Sequence, residues 1–275
     1  MIKNFKVLGI LLAAIFLLTG FHAEAHGTTN WNSNKITVIG QGIPSSGTYG
    51  AQAKLLAKRA AVVDAYRQLA EIVHGVNVDA ETTVEQMMVS SDIVRTTVEA
   101  KIKGARIVDE NITSDGIYEV TVEMPLFGTG GIADVVIERP QSVISFPEPE
   151  YIPEPITPPT YTPPAPSGKY TGVIIDCRGF RVNPVMSPVI KNSRGKKLYG
   201  HENLDYDYII EHGMVSYADS MSQAGRAGSN PLIIKAERMD DFNANPVISV
   251  QDGNFMLSEN RGAKFLDKTA VVFLY

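Results

Sequence analysis

Ten of the sixteen prolines in this 275-residue chain fall in one stretch, ERPQSVISFPEPEYIPEPITPPTYTPPAPSGKY, residues 138–170. Proline has no backbone N–H to give to a helix or a ladder, and it biases the residue before it toward extended backbone. Neither a helix nor an interior strand runs through such a stretch, so it divides the chain into two units that must each bury a core. As polyproline II, rising ~3.1 Å per residue, it reads as a spacer able to separate the units by on the order of 80 Å. The alternative, a ligand for a proline-binding module, is disfavoured if the chain is exported. The expected boundaries are 1–25 for a leader, 26–137 for a first domain, 138–168 for the linker and 169–275 for a second, smaller domain.

The leader reading rests on MIKNFKVLGILLAAIFLLTGFHAEAHG. Lys3 and Lys6 precede an apolar run over residues 7–18, and Ala23-Glu24-Ala25 has the small-x-small pattern of a signal-peptidase site. The run is shorter than the ~20 residues a membrane span needs. Cleavage near Ala25 and a periplasmic or secreted location are expected, with a retained N-terminal anchor as the alternative. Leu18-Thr19-Gly20 would form a lipobox before a cysteine, but Phe21 follows, so no lipid anchor is expected. Cys177 is the only cysteine, which excludes an intramolecular disulfide and leaves stability to the apolar core. The net charge of −5 disfavours nucleic acid and anionic membrane surfaces as partners.

In the first domain KITVIGQGI (35–43) reads as a strand, and AKLLAKRAAVVDAYRQLAEIVHG as a long helix ending at Gly75. Placed at 100° steps, Leu55, Leu56, Val62, Val63, Tyr66, Leu69, Ala70 and Val73 share the arc expected to face a sheet. Ala57, Ala61 and Ala65 fall on the other side with Lys54, Lys58, Asp64, Gln68 and Glu71. Arg59 lies within the apolar arc. Its stem either snorkels to water, or its guanidinium is a buried or interfacial charge paired with a carboxylate. GVNVDAETTVEQM begins as a strand, and SDIVRTTVEAKI fits either strand alternation or a short helix capped by Asp92, of which the helix is expected. Residues 103–112 and 117–125 then form strands around Ser114-Asp115-Gly116, with Tyr118, Val120, Val122 and Met124 on one face. The expected fold class is α+β, a β-α-β-α-β-β domain whose long helix packs on one side of a mostly antiparallel sheet.

The segments VIGQG, AKLLAKRAAVVDAYRQLAEIVHGVNVDAETTV and IKGARIVDE…DGIYEVTVEMPLFG, within residues 35–127, resemble the LPP20 lipoprotein family. They are also similar to the related N-terminal domain of flagellar assembly protein T. The resemblance implies a small, exported, non-enzymatic domain of the bacterial envelope, in some members part of surface or flagellar assemblies. It implies no catalytic, cofactor or metal residues. Phe21 departs from the lipidated cysteine of the lipoprotein members.

The second domain reads as α/β. Val173-Ile174-Ile175 marks a buried strand, Asn192-Ser193-Arg194-Gly195 a hairpin turn, NPLIIKAERM a strand, QDGNFMLSENRGAKFL a helix and KTAVVFLY a final, central strand. DYDYIIEHGMVSYADSMSQAGRAG is expected to be helical in part.

Catalytic chemistry is sparse. Of the five histidines, His22 leaves with the leader, His26 sits at the new terminus and His74 suits a helix C-terminus. His201 with Asp205, and Glu211 with His212, match no known metal-ligand pattern. Ser216 and Cys177 are the nearest nucleophile candidates, and neither sits in a G-x-S-x-G elbow. Cys177 reads as a small core residue. FGTGGIAD (127–134) lacks a P-loop lysine and reads as a flexible strand exit. Asn254-x-x-Leu257-Ser258-x-x-Arg261 is similar to the stretch with which OmpA-like domains bind peptidoglycan, whose arginine grips a carboxylate. Asn254 and Arg261 are therefore the ligand-binding candidates, although of the upstream acidic element only Asp252 is present.

No catalytic residue, cofactor or metal is expected. The expected function is structural, assembly or binding work in the cell envelope, through protein partners or a second copy meeting the exposed strand faces or edges of the first domain. Peptidoglycan binding by the second domain is the alternative, and an envelope hydrolase using Ser216 or His212 a further one.

Overall fold

The computed structural model describes residues 27–152 and 167–275; the expected leader with its expected cleavage position and Phe21, and the proline-dense part of the linker at 153–166, lie outside the described residues. The first domain runs β1 (Gly27–Asn30), β2 (Lys35–Gly42), α1 (Gly50–His74), α2 (Val84–Ser90), α3 (Asp92–Lys103), β3 (Arg106–Ile112), β4 (Tyr118–Pro125) and α4 (Ala133–Val136). Its four strands form one antiparallel sheet in the order β1-β2-β4-β3. Tyr118, Val120, Val122 and Met124 are buried on the face that α1 covers, as the alternation in β4 requires.

The helix meets that sheet through a different face from the one its large apolar residues suggest. Ala57, Ala61, Ala65 and Gln68 are buried with Leu69 and Val73, whereas Leu55 is 51 % and Val63 69 % exposed. The reason lies in the strand. A Cβ on Gly40 would sit 2.2 Å from the Ala61 carbonyl oxygen, and one on Gly42 would sit 2.1 Å from that of Ala57. Two bare strand positions against three methyl groups bring the backbones into contact, so the alanine side lies innermost. Val62, Tyr66 and Ala70 pack at the flank of the core, where the Tyr66 hydroxyl donates to the Ala105 carbonyl oxygen at 3.0 Å. Arg59 consequently points outward: it is exposed, with no hydrogen-bond or ion-pair partner among the described residues, which overturns the buried-charge reading.

The element order also differs. GVNVDAETTV contributes only an isolated bridge between Asn77 and Thr83. Thr83 and Gln86 then form a reciprocal capping box that starts α2, so a helix replaces the expected strand. The Asn77 and Val78 carbonyls instead accept from Met186 N at 3.0 Å and Ser187 N at 2.8 Å, in the second domain.

That domain comprises β5 (Gly172–Asp176), β6 (Ile190–Asn192), β7 (Lys197–Tyr199), α5 (Tyr206–His212), β8 (Ser216–Ala218), β9 (Pro231–Lys235), β10 (Arg238–Asp240), β11 (Asn245–Ile248), α6 (Val250–Ala263) and β12 (Val271–Leu274). A parallel sheet runs β8-β12-β5-β9. The C-terminal strand β12 is central, and all four of its residues are buried. A second sheet, β10-β11-β6-β7, contains the anticipated hairpin, which turns at Gly195 with φ +83°. Its strands are too short to leave a readable alternation.

The two domains are in direct contact, which overturns the spacer reading for the described part of the linker. A single buried apolar cluster includes residues of both. Trp31 packs edge-on against Tyr217 at 5.7 Å, and the Asn32 side-chain amide donates to the Tyr217 and Gln223 carbonyls at 3.2 and 3.0 Å. Gly128 N donates to the Ile210 carbonyl at 2.8 Å, so the glycine-rich stretch is a docking point and not a loose strand exit. Among the described residues no helix is long and apolar enough to cross a membrane.

Candidate functional site

Asn254 and Arg261 both lie on α6. Ser249 caps this helix: its Oγ accepts from Asp252 N at 2.9 Å and donates to Asp252 Oδ2 at 2.7 Å. Asp252 is thereby a capping acid and does not partner Arg261.

Across α6 and the β6–β7 hairpin runs an extended strap, residues 143–150, from the segment anticipated as a free linker. Its backbone is fastened at Ile144, whose N–H donates to the Glu202 carbonyl at 2.8 Å and whose carbonyl accepts from Asn203 Nδ2 at 3.2 Å. The Phe146 ring stacks on Tyr199 with centroids 6.3 Å apart and planes at 5°. The Glu148 carboxylate pairs with Arg261, and its carbonyl accepts from Lys196 Nζ at 3.1 Å.

Glu150 is held most completely. Asn254 Oδ1 accepts from Glu150 N at 2.6 Å, and Asn254 Nδ2 donates to Glu150 O at 2.7 Å. One side-chain amide therefore reads both backbone groups of one residue, as a neighbouring strand would. The Glu150 carboxylate accepts from Asn192 Nδ2 at 2.9 Å and Arg194 Nη1 at 3.1 Å, with Lys196 Nζ 3.7 Å away. The hydrogen bond from Asn192 is the largest single influence. With the Arg194 bond and the nearby cations it holds this carboxyl below its ordinary value, against the opposing effect of partial desolvation. Past the undescribed residues, Ser167 returns to the same helix, donating from N and Oγ to Glu259.

Magnitudes rank these contacts. The exposed ion pairs of Glu148 and Arg194 each contribute about 0–1 kcal/mol and weaken with salt. Asn254 is 7 % exposed, and a buried amide stripped of its partners costs about 1–3 kcal/mol. The strap is thus positioned chiefly by Asn254 and the aromatic stack. Beneath it a cavity of about 310 Å³ is lined by Phe146, Pro147, Asn203, Leu257, Asn260 and Lys264, among others.

The structure therefore places both ligand-binding candidates on one strip, with a carboxylate already on Arg261. That carboxylate belongs to Glu148 of this chain. Sequence reasoning missed Phe146, Glu148, Glu150, Asn192, Arg194, Lys196 and Tyr199. The alternation Phe146-Pro147-Glu148-Pro149-Glu150, set against the cationic turn at 192–196, is the signal that pointed to them.

The hydrolase candidates are not brought together. The His212 ring stacks on Tyr208 at 4.3 Å, and its Nδ1 lies 3.1 Å from the Tyr208 carbonyl oxygen. The buried Ser216 hydroxyl has no hydrogen-bond partner among the described residues. Asp205 caps α5 by accepting from Tyr208 N, while His201 begins a separate one-turn helix 3.5 Å from Ser187 Oγ. Cys177 is fully buried, and burial pushes its thiol up to about 12. Arg226, which no motif singled out, joins the C-terminal end of α5 to the turn before β12 by donating to the His212, Gly213 and Thr269 carbonyls.

On the first domain β3 is an edge strand that pairs only with β4 among the described residues, and all seven of its residues are exposed. Ile107, Glu110 and Ile112 stand opposite Val122, Val120 and Tyr118, hence on the helix side of the sheet. Ile107 is nevertheless 41 % and Ile112 46 % exposed, since α1 covers chiefly β2 and β4. Lys58 of α1 reaches over to Glu110 at 2.7 Å.

No curated protein matches this chain. Two family models do: residues 172–275 match the second domain of Treponema pallidum Tp0624. The first domain, over residues 32–124, is similar to the LPP20 lipoprotein family.

Proposed function

We propose that this chain is a non-enzymatic, exported protein of the bacterial cell envelope that acts as a structural or assembly module. It does so by presenting the β3 edge of its first domain to a second copy or another envelope protein. The match to a lipoprotein family supports the envelope setting. The observation that carries the assembly reading is β3 itself: a backbone edge unpaired among the described residues, beside Ile107, Val108 and Ile112, each at least 40 % exposed. Such an edge recruits a further strand, with main-chain bonds giving affinity and side chains giving selectivity. The irregularity between Ile107 and Asp109, with Arg106, Asp109 and Glu110 around it, restricts indiscriminate pairing. Surface or flagellar assembly is the setting the sequence resemblance favours.

Light scattering after size exclusion on residues 26–275 tests this reading. A defined oligomer is expected, becoming monomeric in Ile107→Lys/Ile112→Lys with an unchanged circular dichroism spectrum. A parent chain that stays monomeric at all concentrations and captures no envelope protein through this edge would sink it.

Peptidoglycan binding through α6 is the second reading, favoured by the placement of Asn254 and Arg261 on one strip. A cell-wall carboxylate would have to displace Glu148. Equal pelleting of wild type and Arg261→Ala with sacculi would remove it.

A further inference from the structure

We propose that the cleft between α6 and the β6–β7 hairpin is a receptor for an extended acidic peptide, and that a second copy of this chain fills it by exchanging straps. The recognition is built at alternate positions. Phe146 meets Tyr199, Glu148 meets Arg261, and Glu150 meets Asn192, Arg194 and Lys196. Pro147 and Pro149 fall between them. Proline fixes φ in an extended conformation and carries no N–H, so docking orders little chain and strands no donor. At Glu150, where a donor is present, Asn254 takes both the N–H and the carbonyl.

The strap can also leave without breaching the core. None of residues 138–152 is buried, and Val143, Ile144 and Glu148 are all exposed. Its departure uncovers Arg261, Arg194 and Lys196, a cationic strip complementary to the two glutamates. The peptide matching that strip is the one every copy carries. Exchange of an identical element preserves every contact, so cis and trans occupancy differ in effective concentration and hinge geometry, not in chemistry. This association is separate from the β3 edge, and each can fail alone.

The test uses two full-chain variants, both also carrying Ile107→Lys/Ile112→Lys to silence the edge. One disables the strap with Phe146→Ala/Glu148→Gln/Glu150→Gln. The other disables the cleft with Asn254→Ala/Arg194→Glu/Lys196→Glu, which removes the amide that holds the Glu150 backbone and reverses the cationic turn around its carboxylate; circular dichroism checks that both variants fold. Mixing the two is expected to give a one-to-one complex by light scattering, because only that pair combines a free strap with an open cleft. A labelled peptide of residues 143–152 is expected to bind the strap variant at least tenfold more tightly than wild type, and the cleft variant not at all. A strap variant that ignores the peptide, or a mixture that shows only the two separate masses, overturns the proposal.

Discussion

At the scale of single residues, stability in the first domain turns on atoms that are absent. Gly40 and Gly42 let α1 rest on β2 with strand and helix backbones in contact. A side chain there meets the immovable carbonyls of Ala61 and Ala57, not a flexible tip. Gly40→Ala is expected to lower stability by about 1–3 kcal/mol, as overpacking does, and Gly40→Val to prevent stable folding; denaturant midpoints measure both. Arg59→Met, on the open side of the same helix, should shift stability by no more than about 0.5 kcal/mol. The Cys177 thiol, pushed up to about 12 by burial, should resist a thiol reagent until the chain unfolds. The alternation of β4 was readable because one face of the sheet is wet. The buried side of α1 was not. Periodicity weighs the size of apolar side chains, whereas here a small-residue row is chosen by two glycines on another element. Arg59 was misplaced for that same reason.

Among the elements, the strap has an attachment that depends on pH. The carboxyl of Glu150 is lowered by its bond from Asn192, then by Arg194 and the neighbouring cations. Its contribution is full above the ordinary carboxylate value of 4.5 and is lost as pH falls through the lowered value in the folded state. Following the Asn254 side-chain amide resonances during acid titration should show detachment on that side of 4.5, and Glu150→Gln should remove the dependence. An amide signal unchanged through the titration would contradict the arrangement. The positions of Asn254 and Arg261 on one helix were legible from their spacing. Their occupant was not, since it lies more than a hundred residues earlier and composition had assigned it to a spacer. Proline content dictates the local shape of a segment, but not the surface on which that shape comes to rest.

For the whole molecule, the continuous core and the shared hydrogen bonds at Asn77, Val78 and Gly128 predict a single cooperative unfolding transition. Trp31, the only tryptophan, sits at the domain junction against Tyr217. Its fluorescence and the far-ultraviolet circular dichroism should therefore change together on denaturation. An earlier fluorescence change would mean that the domains part before they unfold. Two attachment points of the linker carry one more implication. Glu150 is held at Asn254 and Ser167 at Glu259, about one and a half turns apart on α6. The described chain thus leaves α6 at Glu150 and meets it again at Ser167, so the number of residues between those two points does not set how the domains meet. Loop closure charges only ~0.6 kcal/mol for each doubling of length. A reporter group inserted between those two attachment points should therefore leave the domain junction unchanged.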